Sequence, residues 1–208
     1  MKPKGRRRQI TVCALSGELL SMVLMIASDL HGSAYYTSKL LDAFRRENAD
    51  KLLLLGDLLD DDPEGNEGCP SVSTQLNAIK DRIIAIRGNC DTEADQMLLE
   101  FPMMADHIEL EVNGLRLYAT HGHIWNEQFP PVMEEGAILV HGHFHIPACV
   151  SHGTWLYVNP GSVSLPRMGS PRSYVILRGK TIILKCLDGA TLDAEEPFPA
   201  LNSCTAEP

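Results

Sequence analysis

Three short apolar runs in the first half of the chain alternate with segments of helical periodicity. The runs cover 22–27, 52–55 and 82–87, and their length and composition are typical of buried strands. Segment 36–47 places its apolar side chains on one helical face, and segment 72–79 has a second amphipathic pattern. A β-α-β-α-β order with short connections predicts a parallel sheet covered by helices, so we expect the α/β fold class.

Each apolar run is followed by side chains that can bind cations. Asp29 and His31 follow the first run, Asp57 follows the second and Asn89 follows the third. In open α/β sheets, ligands bind outside the carboxyl ends of the strands. We therefore expect these four residues to meet at one edge of the sheet. Taken singly, Asp29 could instead cap the next helix, and Asn89 could belong to a turn.

A stretch in the second half supplies further cation-binding side chains. The apolar run 138–140 leads directly into His141, His143 and His145. If extended geometry continues past the run, these three histidines project to the same side of the chain. For His141, which follows the run directly, we favour a supporting position behind the ligands over ligation.

The second half is otherwise rich in hairpins. Predicted strands cover 107–112, 115–120, 154–158, 173–177 and 181–187. An Asn-Gly turn joins the first two, which is a strong hairpin signal, and the second of them ends in His121, Gly122 and His123.

The polar groups at the strand ends form a set of seven candidate metal ligands. They are Asp29, His31, Asp57, Asn89, His121, His143 and His145. Seven ligands suit two cations if one carboxylate bridges them, and imidazole ligands suit Zn, Mn, Fe or Co. Two cations about 3.5–4 Å apart can share a hydroxide that attacks phosphorus in line.

This ordered set of motifs resembles the calcineurin-like metallophosphoesterases. The matching motifs are Asp29-Leu30-His31, Gly56-Asp57, Gly88-Asn89-Cys90-Asp91, His121 and Gly142-His143-Phe144-His145. The resemblance covers about 22–187 and is closest to the small bacterial and archaeal YfcE-type phosphodiesterases, which also tend to carry the stretch at 159–162. It implies a four-layer α/β/β/α sandwich, in which helices flank two packed mixed β-sheets.

The resemblance also implies an assignment of the ligands. One metal ion takes Asp29, His31, Asp57 and His145, and the other takes Asp57, Asn89, His121 and His143. Asp57 would therefore bridge the two ions. The family often uses manganese, while Ni, Co, Zn and Fe are also compatible with these ligand types. The implied activity is hydrolysis of phosphodiester bonds by a metal-bridging hydroxide.

Cys90 departs from the pattern of the wider superfamily. Many members carry histidine at this place, where it contacts the phosphate and protonates the leaving group. A thiol is a poorer partner for phosphate oxygens, so leaving-group protonation by Cys90 is in doubt. Diesters with good leaving groups need that proton least, and His123 is the other candidate for the acid. We treat Cys90 and His123 as candidate catalytic residues.

Two rival functions share parts of the pattern. A metallo-β-lactamase-like hydrolase also uses alternating histidines, but its motif is His-x-His-x-Asp-His, whereas Ile146 and Pro147 follow His145 here. A catalytically inactive scaffold, such as the retromer subunit that shares this fold, has lost part of the site. All seven ligand types are present in this chain, which favours an enzyme.

The other polar clusters suggest simpler roles. Asp91 could be a turn residue, and the run 60–62 is best explained as part of a solvated loop. His107 and His152 are expected to be structural or exposed.

Composition and charge limit the partners. The net charge of −9 argues against stable binding of duplex nucleic acid, so the expected partner is a small phosphodiester. Six scattered cysteines fit a reducing, cytoplasmic setting, and no apolar run approaches the roughly 20 residues of a membrane span. A homo-oligomer is compatible with the sequence.

The predicted domain covers 22–188, preceded by an extension at 1–21 and followed by a tail at 189–208. The extension is basic and then apolar, but Glu18 interrupts the apolar stretch, so we favour an extension over a signal peptide.

Overall fold

The computed structural model describes residues 10–11, 22–59 and 71–195. The strands β1 to β12 are Ile10–Thr11, Val23–Ala27, Lys51–Leu54, Ile83–Ala85, His107–Val112, Leu115–Thr120, Ala137–Val140, Pro147–Ser151, Leu156–Pro160, Ser173–Arg178, Thr181–Cys186 and Thr191–Glu195. The helices α1 to α3 are Ala34–Arg46, Val72–Asn77 and Glu93–Leu98, and Lys80–Arg82 form one 3-10 turn.

The strands form two six-stranded mixed sheets. The first has the order β1-β5-β6-β7-β9-β8, and the second has the order β12-β11-β10-β2-β3-β4. In the second sheet, β2, β3 and β4 run parallel, as the β-α-β-α-β pattern predicts. In the first sheet, β6, β7 and β9 run parallel. The predicted α/β architecture of two mixed sheets with helices is confirmed.

Two apolar layers hold these elements together. In one, Leu40 and Phe44 of α1 pack with Met25 of β2 on one face of the second sheet. In the other, alternate residues of the same strands, such as Ile26, face the first sheet and pack in a cluster with Ile138. Because consecutive strand residues point to opposite faces, a continuous apolar run serves both layers.

The carboxyl ends of β2, β3 and β4 lie at the same edge of their sheet. Backbone bonds join the residues beyond these strands, with the Asp29 N–H donating to Gly56 O at 3.1 Å and the His31 N–H donating to Asp57 O at 2.9 Å. Ser33 caps α1 by accepting a bond from the Tyr36 N–H, so the helix starts just after His31. The sequence motifs after β2 and β3 are therefore neighbours in the fold.

The hairpin of β5 and β6 turns on Asn113 and Gly114, which have φ of 54° and 77°. Both values suit the two central positions of a type I′ turn, as the Asn-Gly signal predicts. The Asn113 side chain also accepts a bond from the Met22 N–H at 2.9 Å and donates to Gly179 O at 2.8 Å. It thereby ties this hairpin to the start of β2 and to the β10–β11 turn.

Several elements were not predicted. β8 is an edge strand with an exposed half, and β12 pairs with β11 within the stretch that we expected to be a tail. Each of these two strands pairs with one neighbouring strand only. Backbone pairing does not require alternating apolar residues, so neither strand has a clear periodic signal in the sequence. α3 is short and has no buried residue. The extension apart from β1, the run 60–62 and residues 196–208 lie outside the described residues.

Among the described residues, no helix has both the length and the apolar character needed to cross a membrane.

Candidate metal centre

Five of the seven predicted ligands have a left-handed backbone conformation. Their φ angles are 58° at Asp29, 43° at His31, 53° at Asp57, 63° at His143 and 60° at His145. Side chains other than glycine rarely adopt this region, although Asp and His do so more than most. Such residues cost of order 1–3 kcal/mol each and cluster at functional sites. The chain is held in sharp turns beyond the strand ends, where these side chains converge.

Asp29, His31 and His145 form the first group of donor atoms. The Nε2 atoms of His31 and His145 are 3.2 Å apart, and they lie 3.8 Å and 3.2 Å from Asp29 Oδ1. Asp29 Oδ1 is buried and has no hydrogen-bond partner among the described residues. An unsatisfied carboxylate oxygen in such a position is costly unless a cation or donor meets it. The three atoms therefore fit a shared metal ion.

Asp57, His121 and His143 form the second group, in which the donor atoms all lie within 4.8 Å of one another. His121 Nε2 is 3.3 Å from Asp57 Oδ2 and 3.0 Å from Asn89 Oδ1. Asp57 Oδ2 is also 3.9 Å from His31 Nε2 of the first group. Asp57 thus lies between the two groups, where a carboxylate could serve both.

Backbone carbonyls orient two of the histidines. His121 Nδ1 lies 2.7 Å from Leu55 O, and His145 Nδ1 lies 2.6 Å from Leu165 O. A bond of this kind assigns the proton to Nδ1 and leaves the Nε2 lone pair for a cation. Both rings are therefore set to present Nε2 to the centre of the site.

The electrostatics of the site favour positive charge. Burial alone would raise the pKa of Asp57, but bonds from His121 and from the Cys90 N–H, with the nearby His31, hold it below its usual range. Burial alone would lower the pKa of His121, but its bond to Asp57 and the charge of Asp29 raise it. The same negative field attracts divalent cations to this place.

Two glycines allow the backbone to pass close to the carboxylates. A Cβ atom on Gly88 would lie 1.9 Å from Asp57 Oδ1, and one on Gly142 would lie 2.5 Å from Asp29 Oδ2. Both distances are far below van der Waals contact. The glycines of the Gly-Asn and Gly-His motifs are therefore required by packing around Asp29 and Asp57.

Asp91 holds the turns after β3 and β4 together. Its buried carboxylate accepts bonds from the N–H groups of Asp57 and Gly88, both at 2.7 Å, and of Leu58 at 2.8 Å. Burial raises the pKa of Asp91, and the three N–H donors oppose this rise. The sequence gives Asp91 the pattern of a turn residue, because neither its burial nor its distant partners leave a local signal.

The loop after β9 supports Asp29 from the other side. The hydroxyls of Ser162 and Ser164 donate to Asp29 O at 2.8 Å and 3.1 Å, and the Asn159 amide donates to Gly142 O at 2.9 Å. The Asn-Pro-Gly-Ser stretch of the sequence is thus part of the scaffold of the site.

The expectation that His141, His143 and His145 project to one side is wrong. β7 ends at Val140, and the positive φ angles of His143 and His145 break the extended geometry. His141 is buried away from the donor groups, with Nε2 accepting from the Glu127 N–H at 3.1 Å and its ring stacked on Tyr157. Burial, the largest influence, lowers the pKa of His141 to about 4.

The two candidate catalytic side chains lie at the edges of the donor groups. Cys90 Sγ lies within 4.8 Å of donor atoms of His31 and Asp57, and it accepts a bond from the Asn89 amide at 3.2 Å. The ring of His123 lies 5.4 Å from that of His121. Burial, followed by the charges of His121 and His143, lowers the pKa of His123 below its ordinary value.

The remaining histidines lie apart from the donor groups. His107 packs against Tyr118 and Trp125, while His152 is exposed, stacks on Trp155 and pairs with Glu127.

Comparison with known proteins shows the family of this chain. Residues 22–181 match the calcineurin-like phosphoesterase superfamily domain. The chain is also 39% identical over 178 residues to phosphodiesterase YfcE of Escherichia coli K12, covering 84% of this chain and 97% of that protein. The chain belongs to the calcineurin-like phosphoesterase superfamily. The family resemblance predicted from the motifs is confirmed.

Two solved structures have a similar fold. The structure of YfcE, a phosphoesterase from E. coli, matches with a TM-score of 0.79 and 37% identity, covering 85% of this chain and 100% of that one. Vps29 from Entamoeba histolytica, solved in complex with zinc, matches at 0.56 and 19% identity, covering 84% and 97%. At that identity the Vps29 match supports the fold alone. Membership of this superfamily removes the metallo-β-lactamase-like alternative.

Proposed function

We propose that this superfamily member is a phosphoric diester hydrolase that works with two divalent cations. The observation that carries the proposal is the arrangement of two groups of metal-binding atoms with Asp57 between them. Its similarity to a phosphodiesterase along nearly the whole of that relative supports the reaction class. All seven ligand types remain in place, which argues against an inactive scaffold.

The proposed ligands fall into two sets that share one carboxylate. The first ion takes Asp29, His31, Asp57 and His145, and the second takes Asp57, Asn89, His121 and His143. The convergence of donor atoms supports this division, and the Asn89 amide oxygen lies beside His121 Nε2 at 3.0 Å. Two cations held in this way would supply a bridging hydroxide as nucleophile and would neutralise the charge that develops on the phosphorus oxygens.

The protein's own contribution is a rigid frame for the donor atoms. Asp91, the serines after β9 and the carbonyls of Leu55 and Leu165 fix the ligands before any cation or substrate arrives. Pre-positioned ligands bind metal more tightly and hold the substrate in reacting geometry. This accounts for the strained backbone at five of the ligands.

Manganese is the cation that we propose first, because the family resemblance implies it. The proposed ligands also accept Ni, Co, Zn or Fe. We propose a cytoplasmic setting, because six scattered cysteines with no Cys-x-x-Cys pair fit a reducing compartment. The proposed substrate is a small phosphodiester rather than duplex nucleic acid, and a homo-oligomer is compatible with this function.

The test is an activity screen of metal-stripped protein reloaded with Mn, Ni, Co, Zn or Mg. We expect metal-dependent hydrolysis of bis(4-nitrophenyl) phosphate, with slower hydrolysis of 4-nitrophenyl phosphate, and cyclic nucleotides would be tested beside them. His145→Ala should lower kcat/KM by at least about 100-fold because it removes a proposed ligand. His152→Ala, which alters an exposed histidine outside the donor groups, is the matched control. Hydrolysis that needs no metal, or that survives His145→Ala, would contradict the proposal.

A further inference from the structure

The loop between β9 and β10 is built around the proposed ligand His145. The carbonyl of Leu165 meets His145 Nδ1, while the Arg167 N–H and the Ser170 hydroxyl donate to His145 O at 3.1 Å and 3.3 Å. The Ser170 N–H donates to Arg167 O at 3.0 Å, and this closes a tight turn. The backbone that carries Arg167 is therefore fixed beside the first donor group.

Arg172, at the end of the same loop, has a guanidinium that is held in place by its neighbours. Arg172 Nε donates to Ser164 O at 3.2 Å, and the Ser164 hydroxyl donates to Asp29 O at 3.1 Å. The Arg172 guanidinium also lies 3.9 Å from the ring centroid of Tyr36, in the first turn of α1 just after His31. Only one residue, Ser164, thus separates this cation from a proposed ligand.

Half of the eight described arginines have an anionic partner, and Arg46 and Arg82 use their guanidinium groups to bind a tyrosine hydroxyl and backbone carbonyls. Arg45, Arg87, Arg116 and Arg178 each pair with a carboxylate. Within the described parts of the chain, the side chains of Arg167 and Arg172 form no ion pair. The fork of Arg172 is nevertheless held in place by stacking and by its Nε bond, with its terminal nitrogens left for another acceptor.

Net charge makes this local excess of positive charge notable. The chain carries −9 overall, so a substrate with more than one negative charge is repelled at long range. Arg167 and Arg172 add two positive charges to the loop that contacts His145 and, through Ser164, Asp29. Guanidinium groups bind phosphate and carboxylate by paired, charge-assisted hydrogen bonds.

We propose that Arg167 and Arg172 bind a second anionic group, a phosphate or carboxylate, on the alcohol part of the phosphodiester substrate. The proposal rests on the proposed phosphodiesterase function and narrows its substrate class to diesters that carry a further negative charge. The scissile diester would lie at the metal centre, and the extra anion would lie on the β9–β10 side.

The test compares two substrates with the same leaving group. They are thymidine 5′-(4-nitrophenyl phosphate) and its 3′-phosphorylated form. With Mn-loaded protein, we expect kcat/KM to be about tenfold higher for the phosphorylated substrate, mainly through KM, as one charge-assisted contact would give. Arg172→Gln and Arg167→Gln should each reduce the ratio of kcat/KM for the phosphorylated substrate to that for the unphosphorylated one towards one. Arg45→Gln, an exposed α1 cation paired with Asp42, should keep the wild-type ratio.

A binding measurement makes the outcome independent of turnover. Calorimetry should show thymidine 3′,5′-bisphosphate binding about tenfold more tightly than thymidine 5′-monophosphate, with the difference lost in Arg167→Gln. Because Arg167 is exposed, this variant stays informative if Arg172→Gln disturbs the loop. If both diesters are hydrolysed with equal kcat/KM, the inference about the arginines is overturned and the proposed function is not. Failure to hydrolyse either diester would overturn the proposed function, and equal binding of the two nucleotides would still decide against the arginines.

Discussion

The carboxylate of Asp91 accepts a hydrogen bond from the backbone N–H of Asp57 at 2.7 Å, across 34 positions of sequence. The same carboxylate accepts the N–H groups of Gly88 and Leu58. One buried side chain therefore fixes the turns that carry Asp57 and Asn89, which are proposed to bind metal. Asp91 acts as a positioning residue for both.

Asp91→Asn should weaken both the fold and the metal centre. An amide offers one acceptor oxygen and places N–H donors against N–H donors, so we expect a loss of about 2–3 kcal/mol in the free energy of unfolding. Manganese affinity should fall as well, since the Asp57 turn is no longer fixed. Urea unfolding and calorimetric metal titration measure the two effects. Asp42→Asn, on the exposed face of α1, is the control; equal behaviour of the two variants would count against this role.

Cys90→His should reduce the preference of the enzyme for activated diesters over alkyl monoesters. A thiol is a weak hydrogen-bond donor, and ionising it would repel a phosphate. A positioned acid is worth about 10²–10⁴-fold, and poor leaving groups need it most. We expect kcat/KM for an alkyl monoester to rise relative to an aryl diester in the variant. If the wild type already favours alkyl monoesters, the inference from Cys90 is wrong and His123 becomes the candidate acid.

Glu47 should contribute stability that disappears in acid. It is buried and accepts bonds from Lys185 and Tyr174. Burial alone would raise its pKa, but these bonds and the charges of Lys185 and Arg178 hold it below the ordinary 4.5. Because the folded-state pKa is the lower one, the contribution is complete above about pH 5 and is lost as the pH falls through the folded-state value.

Glu47→Gln tests this directly. We expect about 2 kcal/mol of destabilisation at pH 7, because a buried charge pair is broken, and a smaller difference from wild type below pH 4. Denaturant unfolding at several pH values measures both. A difference that stays constant from pH 7 to pH 3 would show that ionisation of Glu47 is not the cause.

A chain that starts at Met22 should keep its fold and activity. The Met22 N–H donates to Asn113 Oδ1, and a new terminal amino group can donate in the same way. The truncation removes β1, which pairs with β5 over two residues only. We expect melting within about 3 °C of the full chain and unchanged aryl diesterase activity. Aggregation or a much lower melting temperature would place the extension within the domain.

The sequence was sufficient to predict which side chains converge, but not the backbone conformation that brings them together. Asp29, Asp57 and His145 each follow an apolar run, which predicts a polar side chain just beyond the end of a strand. The β-α-β order predicts that the strand ends lie at one edge of the sheet. The left-handed turns that bring the side chains together have no local signal, because Asp and His usually adopt ordinary conformations. For the same reason, extended geometry after β7 was a plausible prediction that the structure contradicts.

Long-range polar contacts were also beyond prediction. The burial of Asp91 and the pairing of Asn113 with Met22 depend on residues far apart in the chain. β12 forms by backbone pairing with β11. Such pairing does not require a particular pattern of side chains, so the strand has no clear signal in the sequence.

Metal content is the most direct test of the central claim that Asp57 joins two metal sites. Wild-type protein that has been stripped of metal and dialysed against manganese should hold close to two ions per chain by elemental analysis. The control variant Asp42→Asn should hold the same number. Asp57→Asn should lose affinity at both sites and retain fewer than about one ion per chain, because it replaces the carboxylate that is proposed to bridge them. One tightly held ion in the wild type, unaffected by Asp57→Asn, would contradict the dinuclear centre.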